Sequence, residues 1–140
     1  ALVRAPDGIR TVAARAEDMP LSSASFDAVI FVVSLQFIED YRRALEEASR
    51  VLRPGGKLVV MLLDPASDFF RERSRDPGSY VSRIRHTDLQ AMVEAASAGF
   101  DILTEHFLGV KGRTVLVSAK PGEAALFVIR GTKRAWSPGD

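Results

Sequence analysis

No cysteine occurs among the 140 residues, which excludes a disulfide, a thiolate zinc site and thiol redox chemistry. Only two histidines are present, His86 and His106, and their separation argues against a metal centre built by the protein. Charge of one sign is lacking as well. Nineteen Lys and Arg oppose eighteen Asp and Glu, so a net charge of +1 creates no global field toward nucleic acid or an anionic membrane. The longest largely apolar run, Ala28 to Leu35, is too short to span a bilayer, and the first residues lack the basic-then-apolar order of a secretory signal. These absences lead to the expectation of a cytoplasmic protein that binds neither membrane nor nucleic acid.

What is present is an ordinary soluble balance, 46% hydrophobic and 26% charged, able to close one core over residues 1–140. The segment from Ala1 to Gly8 reads as a connection already under way, as though an earlier part of a domain preceded it. Ile9 to Ala14, apolar and β-branched after the turn dipeptide Asp7-Gly8, predicts a first strand. Ala28 to Val33 is apolar without alternation, the pattern of a central strand covered on both faces. Asp40 offers a helix N-cap. Tyr41, Ala44, Leu45, Ala48, Val51 and Leu52 then form a buried stripe, with Arg42, Glu46, Glu47 and Arg50 expected to face water.

That helix stops at Pro54-Gly55-Gly56, and Leu58 to Leu63 is again continuously apolar, so a βαβ unit with two parallel strands is expected. Residues 65–86 turn polar and form a variable insert. Thr87-Asp88-Leu89-Gln90 has the form of a capping box, opening a helix with Leu89, Met92, Val93 and Ala96 inward, ended by Gly99. Phe100 to Phe107 and Leu126 to Ile129 are further strands. Val115 to Val117 is either an extra strand or the start of a long hairpin.

Three motifs occur in order: Ala16-Glu17-Asp18-Met19-Pro20-Leu21, Ser25-Phe26-Asp27-Ala28-Val29, and Arg50-Val51-Leu52-Arg53-Pro54-Gly55-Gly56-Lys57-Leu58. With Ala98-Gly99-Phe100 and the closing Phe127 to Lys133, they make the chain resemble the C-terminal part of a class I S-adenosylmethionine-dependent methyltransferase of the small-molecule, ubiquinone-biosynthesis type. The resemblance implies a Rossmann-like α/β fold: an open, mostly parallel sheet with flanking helices and an antiparallel C-terminal strand, in the order 3-2-1-4-5-7-6. The segments matched here would be strands three to seven of that order. Strands one and two, with the glycine-rich cofactor turn, find no counterpart; Gly55-Gly56 belongs to a helix end, and Gly109 and Gly112 flank basic residues. The strand from Val29 to Val33 would then carry an open edge. An N-terminal segment, a second chain, or the Ile9 to Ala14 strand would have to cover it.

The resemblance also assigns roles. The backbone N–H of Ala16 would donate to the adenine ring, with a polar side chain at Arg15 or Glu17 near its exocyclic amine. Many family members carry an acidic or amide residue where Arg15 stands, and a cation cannot accept that hydrogen bond. Val32 and Val33 would lie along the cofactor's methionine portion and Phe37 would form a wall, unless it is simply packed core. Ser34 or Gln36 would face the substrate. Asp64, at a strand end, could accept a proton from a substrate hydroxyl or amine or cap a loop. His86 and His106 read as structural or exposed. Phe69, Phe70 and Tyr80 among the arginines of residues 65–86 suggest a lid over a pocket, since Asp68, Glu72 and Asp76 interleave them.

The expected function is therefore methyl transfer from S-adenosylmethionine to a small-molecule acceptor by direct displacement, provided that a cofactor-binding N-terminal half is present. The alternative is a truncated, catalytically silent domain that dimerises through its open strand edge. No metal is expected.

Overall fold

The computed structural model describes residues 6–135. The opening stretch through Ala5 lies outside the described residues. Element order is β1 (Phe26–Val32), α1 (Tyr41–Val51), β2 (Leu52–Leu63), α2 (Asp68–Ser74), α3 (Leu89–Ser97), β3 (Phe100–Lys111), β4 (Thr114–Leu116) and β5 (Ala124–Lys133). Short 3₁₀ turns lie at Leu35–Phe37 and Tyr80–Arg83.

Local chemistry accounts for most of these boundaries. The Asp40 carboxylate accepts from the Arg43 N–H at 3.1 Å and starts α1. At the other end, the Lys133 ammonium donates to the carbonyls of Ser49 (2.6 Å) and Leu52 (2.7 Å), satisfying acceptors that the helix leaves open. Gly55 adopts φ +79°, and a Cβ on Gly56 would lie 2.8 Å from the Arg53 carbonyl. The Pro-Gly-Gly step is thus a steric requirement for entering β2 directly from α1. The cap of α3 is Asp88, which accepts from the Ala91 N–H at 3.1 Å, one residue later than the expected capping box.

The five strands form one sheet in the order β1-β2-β5-β3-β4. β1 and β2 are parallel, with Val29 beside Leu58 and Phe31 beside Val60. β5 runs antiparallel between β2 and β3, and β4 closes a hairpin on the end of β3. Hence β1, β2 and β3 run one way, β5 is the expected antiparallel last strand, and Val115–Leu116 belong to a hairpin strand. Leu58, Val60 and Leu62 of β2 and Ile129 of β5 meet Leu45 and Ala48 of α1 and Met92 and Ala96 of α3 in a dry core.

Two expectations fail. Ile9 to Ala14 forms no strand; it is exposed, and the only pairing nearby is an isolated bridge between Arg15 and Asp18. A strand needs a partner for its backbone groups, and among the described residues none lies alongside this segment. It therefore does not cover β1. The apolar run of β1 likewise does not mark a central strand: β1 is the sheet edge, with Ile30 58% and Val32 64% exposed. Leu103 and Phe107 of β3 continue this uncovered face. Apolar composition records that a strand was selected for burial on both sides, without supplying the covering element.

Candidate functional site

The C-terminal ends of β1 and β2 bring together several residues singled out above. The register pairs Val32 with Met61, and the Val33 N–H extends the ladder by donating to the Met61 carbonyl at 3.0 Å. Val33 then turns sharply, at φ +48°. A β-branched residue in the left-handed region is strained and is held there only by its surroundings. That turn projects Ser34 and the 3₁₀ segment Leu35–Phe37 over the strand ends. Ser34 and Phe37 are half-buried, and Phe37 lies 6.4 Å, ring to ring, from Tyr80 of the polar insert.

Gln36 does something the sequence did not indicate. It is fully buried, its Oε1 accepts from the Leu63 N–H at 2.8 Å, and its Nε2 donates to the Leu63 carbonyl at 2.9 Å and the His86 carbonyl at 3.4 Å. Its own carbonyl accepts from the N–H groups of Arg85 and His86. Gln36 therefore prolongs the β1–β2 pairing by a side chain and ties the insert to it. Both ends of its amide are engaged by backbone.

Arg15, Ala16 and Glu17 form a tight turn closed by the Asp18 N–H on the Arg15 carbonyl at 3.1 Å. Ala16 is partly buried and packs against the edge of the core. Arg15 Nη2 donates to Glu17 Oε2 at 2.9 Å, with Arg15 exposed and Glu17 mostly covered. That hydrogen bond chiefly, aided by the backbone amides of Glu17 and Asp40, holds the Glu17 carboxyl below its ordinary range. Glu17 is thus an anionic acceptor beside the start of α1, and Arg15 is its partner.

Behind this turn stands a clamp that sequence reasoning placed in water. Glu47 is buried, and it accepts from Arg50 Nε at 2.8 Å, Arg50 Nη2 at 3.0 Å and the Met19 N–H at 2.8 Å. Arg50 in turn donates to the carbonyls of Met19 (2.9 Å) and Leu21 (2.8 Å). The Arg50 hydrogen bond, then that from Met19, pushes the Glu47 carboxyl down to about 2 despite burial. The signal was available: Glu47 sits three residues after Ala44 and four before Val51, on the buried stripe itself.

Asp64 follows β2 and is buried. Its Oδ1 accepts from the Ala66 N–H at 2.9 Å, and its Oδ2 lies 3.4 Å from Nε2 of His106 on β3. His86, by contrast, places Nε2 at 2.7 Å from the Ile38 carbonyl and packs edge-on against Tyr41. A groove of about 340 Å³ between α1 and α3 lies toward Phe100, at the start of β3, and is lined by none of the candidate residues. Among the described residues no cluster of three metal-ligating side chains occurs, and no helix is long and apolar enough to cross a membrane.

A family model described as a methyltransferase domain matches residues 1–60. The ubiquinone/menaquinone biosynthesis C-methyltransferase UbiE of Hahella chejuensis is 46% identical over 55 residues, which are 39% of this chain and 22% of that protein. A malonyl-[acyl-carrier protein] O-methyltransferase of the same organism is 36% identical over 86 residues, 59% of this chain and 30% of the relative. The crystal structure of a methyltransferase from Thermotoga maritima, described as a possible histamine N-methyltransferase, superposes with a TM-score of 0.71 and 32% identity. That match covers 85% of this chain and 61% of the other.

These matches, to a methyltransferase domain model, to the UbiE relative and to the Thermotoga structure, support a class I S-adenosylmethionine-dependent methyltransferase. S-adenosylmethionine is the cofactor of this family. The chain spans less than a third of the length of these curated relatives and 61% of the Thermotoga chain. The observed strand order β1-β2-β5-β3 reproduces the 4-5-7-6 half of the family sheet, with β4 added outside it. The chemistry of the residues present would suit one side of the methyltransferase cofactor: the Ala16-Glu17 turn carries an anionic acceptor, and the backbone of Val32-Val33 ends β1. A glycine-rich turn opening a helix, which would face the ribose and methionine portions, is not among the described residues; Gly55 and Gly56 lie in β2, Gly109 in β3 and Gly112 in the hairpin turn.

Proposed function

We propose that this chain supplies the adenine turn, the strand-end wall and the acceptor side of an enzyme that transfers a methyl group from S-adenosylmethionine to a small-molecule acceptor. The single observation that carries this reading is the strained end of β1. Val33 at φ +48° turns the chain at the end of β1, the end of the sheet where open α/β folds bind ligands. In this reading the Ala16 N–H and the Glu17 carboxylate hold the adenine, Arg15 orients Glu17, and Val32, Val33 and Phe37 line the cofactor. Ser34 faces the acceptor, Asp64 stands buried behind it at the end of β2, and Gln36 holds this strand end in place. Bound S-adenosylmethionine supplies a methyl group on a good leaving group, so the protein's main task is to align the acceptor and exclude water. Residues 65–86 serve as the lid, through Tyr80 against Phe37. A further segment or subunit covers the edge of β1 and completes the cofactor site, and the enzyme works in the cytoplasm.

Isothermal titration of the full-length protein with S-adenosylhomocysteine tests this. Binding is expected; no heat would defeat it. A second reading, a catalytically silent chain that dimerises edge to edge, draws on the exposed Ile30 and Val32 of β1. Sedimentation equilibrium separates them: a dimer that binds no S-adenosylhomocysteine favours the silent chain.

A further inference from the structure

The pair formed by Asp64 and His106 is unused by the fold. Asp64 is fixed on three sides: its N–H donates to the Ala125 carbonyl at 2.9 Å, its carbonyl accepts from Ser67 Oγ at 2.6 Å, and its Oδ1 accepts from the Ala66 N–H. Only Oδ2 is left over, and it is the atom that faces His106 Nε2 at 3.4 Å. A loop-capping aspartate needs one carboxylate oxygen; this one presents the second to an imidazole from a strand two positions away in the sheet.

The imidazole is itself held. His106 pairs with Phe127 across β3 and β5, and the Phe127 ring meets it edge-on at 5.3 Å. Phe127 pairs in turn with Leu62, so Leu62, Phe127 and His106 form one row on one face of the sheet, and Asp64 stands two residues beyond Leu62 on that side. The His106 side chain is 25% exposed, open enough for a ligand to reach, while Asp64 is 8% exposed. Both lie at the sheet end where β1 and β2 finish. The other histidine has no such freedom, since its Nε2 is committed to the Ile38 carbonyl.

We infer that His106 is the base that takes the proton from the methyl acceptor, with Asp64 as its positioning residue; this rests on the methyl-transfer reading above. Facing Asp64, Nε2 carries the imidazole proton and Nδ1 keeps its lone pair. As the acceptor's oxygen or nitrogen forms its bond to the methyl carbon, its proton passes to Nδ1. The carbon–sulfur bond breaks with its electron pair going to sulfur. The positive charge leaves the sulfonium and ends on the imidazolium, beside the Asp64 carboxylate. The acceptors this selects are those with an ionisable O–H or N–H. At 3.4 Å the pair is loose, as catalytic contacts often are before a ligand closes the site.

The test uses diethyl pyrocarbonate, which acylates imidazole through a free lone pair, on the full-length protein at neutral pH. Peptide mass spectrometry reads His106 and His86 separately in the same sample. His106 is expected to react roughly tenfold faster than His86, and Asp64→Asn, which keeps an acceptor for the Ala66 N–H, is expected to slow His106 alone. If His106 reacts no faster than His86, the inference is overturned even where S-adenosylhomocysteine binds. The comparison of the two histidines needs no variant, so a poorly folded Asp64→Asn protein would not obscure it. If S-adenosylhomocysteine gives no heat, the methyl-transfer reading fails, and a methyl-transfer role for His106 fails with it.

Discussion

Replacing Gln36 by leucine isolates the one side chain that joins the candidate site to the sheet. The change conserves volume closely and removes both polar ends. The Leu63 N–H and C=O, now served at 2.8 and 2.9 Å, would be left buried without partners. An unsatisfied buried group costs about 1–3 kcal/mol, so the pair costs about 2–6. Against this, burying an apolar side chain in place of the amide returns about 1.5–3 kcal/mol. Setting low against low and high against high, the net expectation is a loss of about 0.5–3 kcal/mol, measured by urea unfolding followed by circular dichroism, with an unchanged slope. The same variant should weaken S-adenosylhomocysteine binding, because Ser34 and Phe37 flank the released residue. A loss below about 0.5 kcal/mol would refute the reasoning, since two buried backbone groups cannot be orphaned so cheaply.

Glu47 makes stability pH-dependent. Its folded value near 2 lies below the ordinary 4.5, so its stabilising contribution is complete above about pH 4.5 and fades as pH falls toward 2. Melting temperatures from pH 6 to pH 3 should therefore drop more steeply for the native chain than for Glu47→Gln; parallel curves would contradict the clamp. Gly56→Ala should cost about 1–3 kcal/mol in urea unfolding, because its Cβ would meet the Arg53 carbonyl at 2.8 Å. Val33→Gly relieves a left-handed residue worth about 1–2 kcal/mol. It should therefore destabilise by at least about 1 kcal/mol less than Val59→Gly in mid-strand; equal losses would show that Val33 is unstrained.

Local regularities make much of the molecule legible in the amino-acid sequence. The continuous apolar runs mark β1 and β2, the stripe through Ala44, Ala48 and Val51 marks α1, and Asp40 marks its cap. The ordered motifs from Ala16 to Gly56 carry the resemblance to the methyltransferases and point to the turn and strand end where the candidate site lies. These features are readable because each depends on residues a few positions apart. Periodicity, capping and tight turns are short-range properties.

What tertiary structure decided involves partners that sequence spacing does not reveal. Glu47 is buried because Met19 and Arg50 meet it, the first from 28 residues away. Gln36 is structural because Leu63 arrives beside it, and His106 gains Asp64 only because β5 sets β3 at the right distance from β2. Ile9 to Ala14 has strand composition and no strand, for a β-strand exists only when another backbone satisfies it. Composition determined which residues seek burial and pairing; the packing of distant segments determined which of them obtain it, and so where the chemistry can occur.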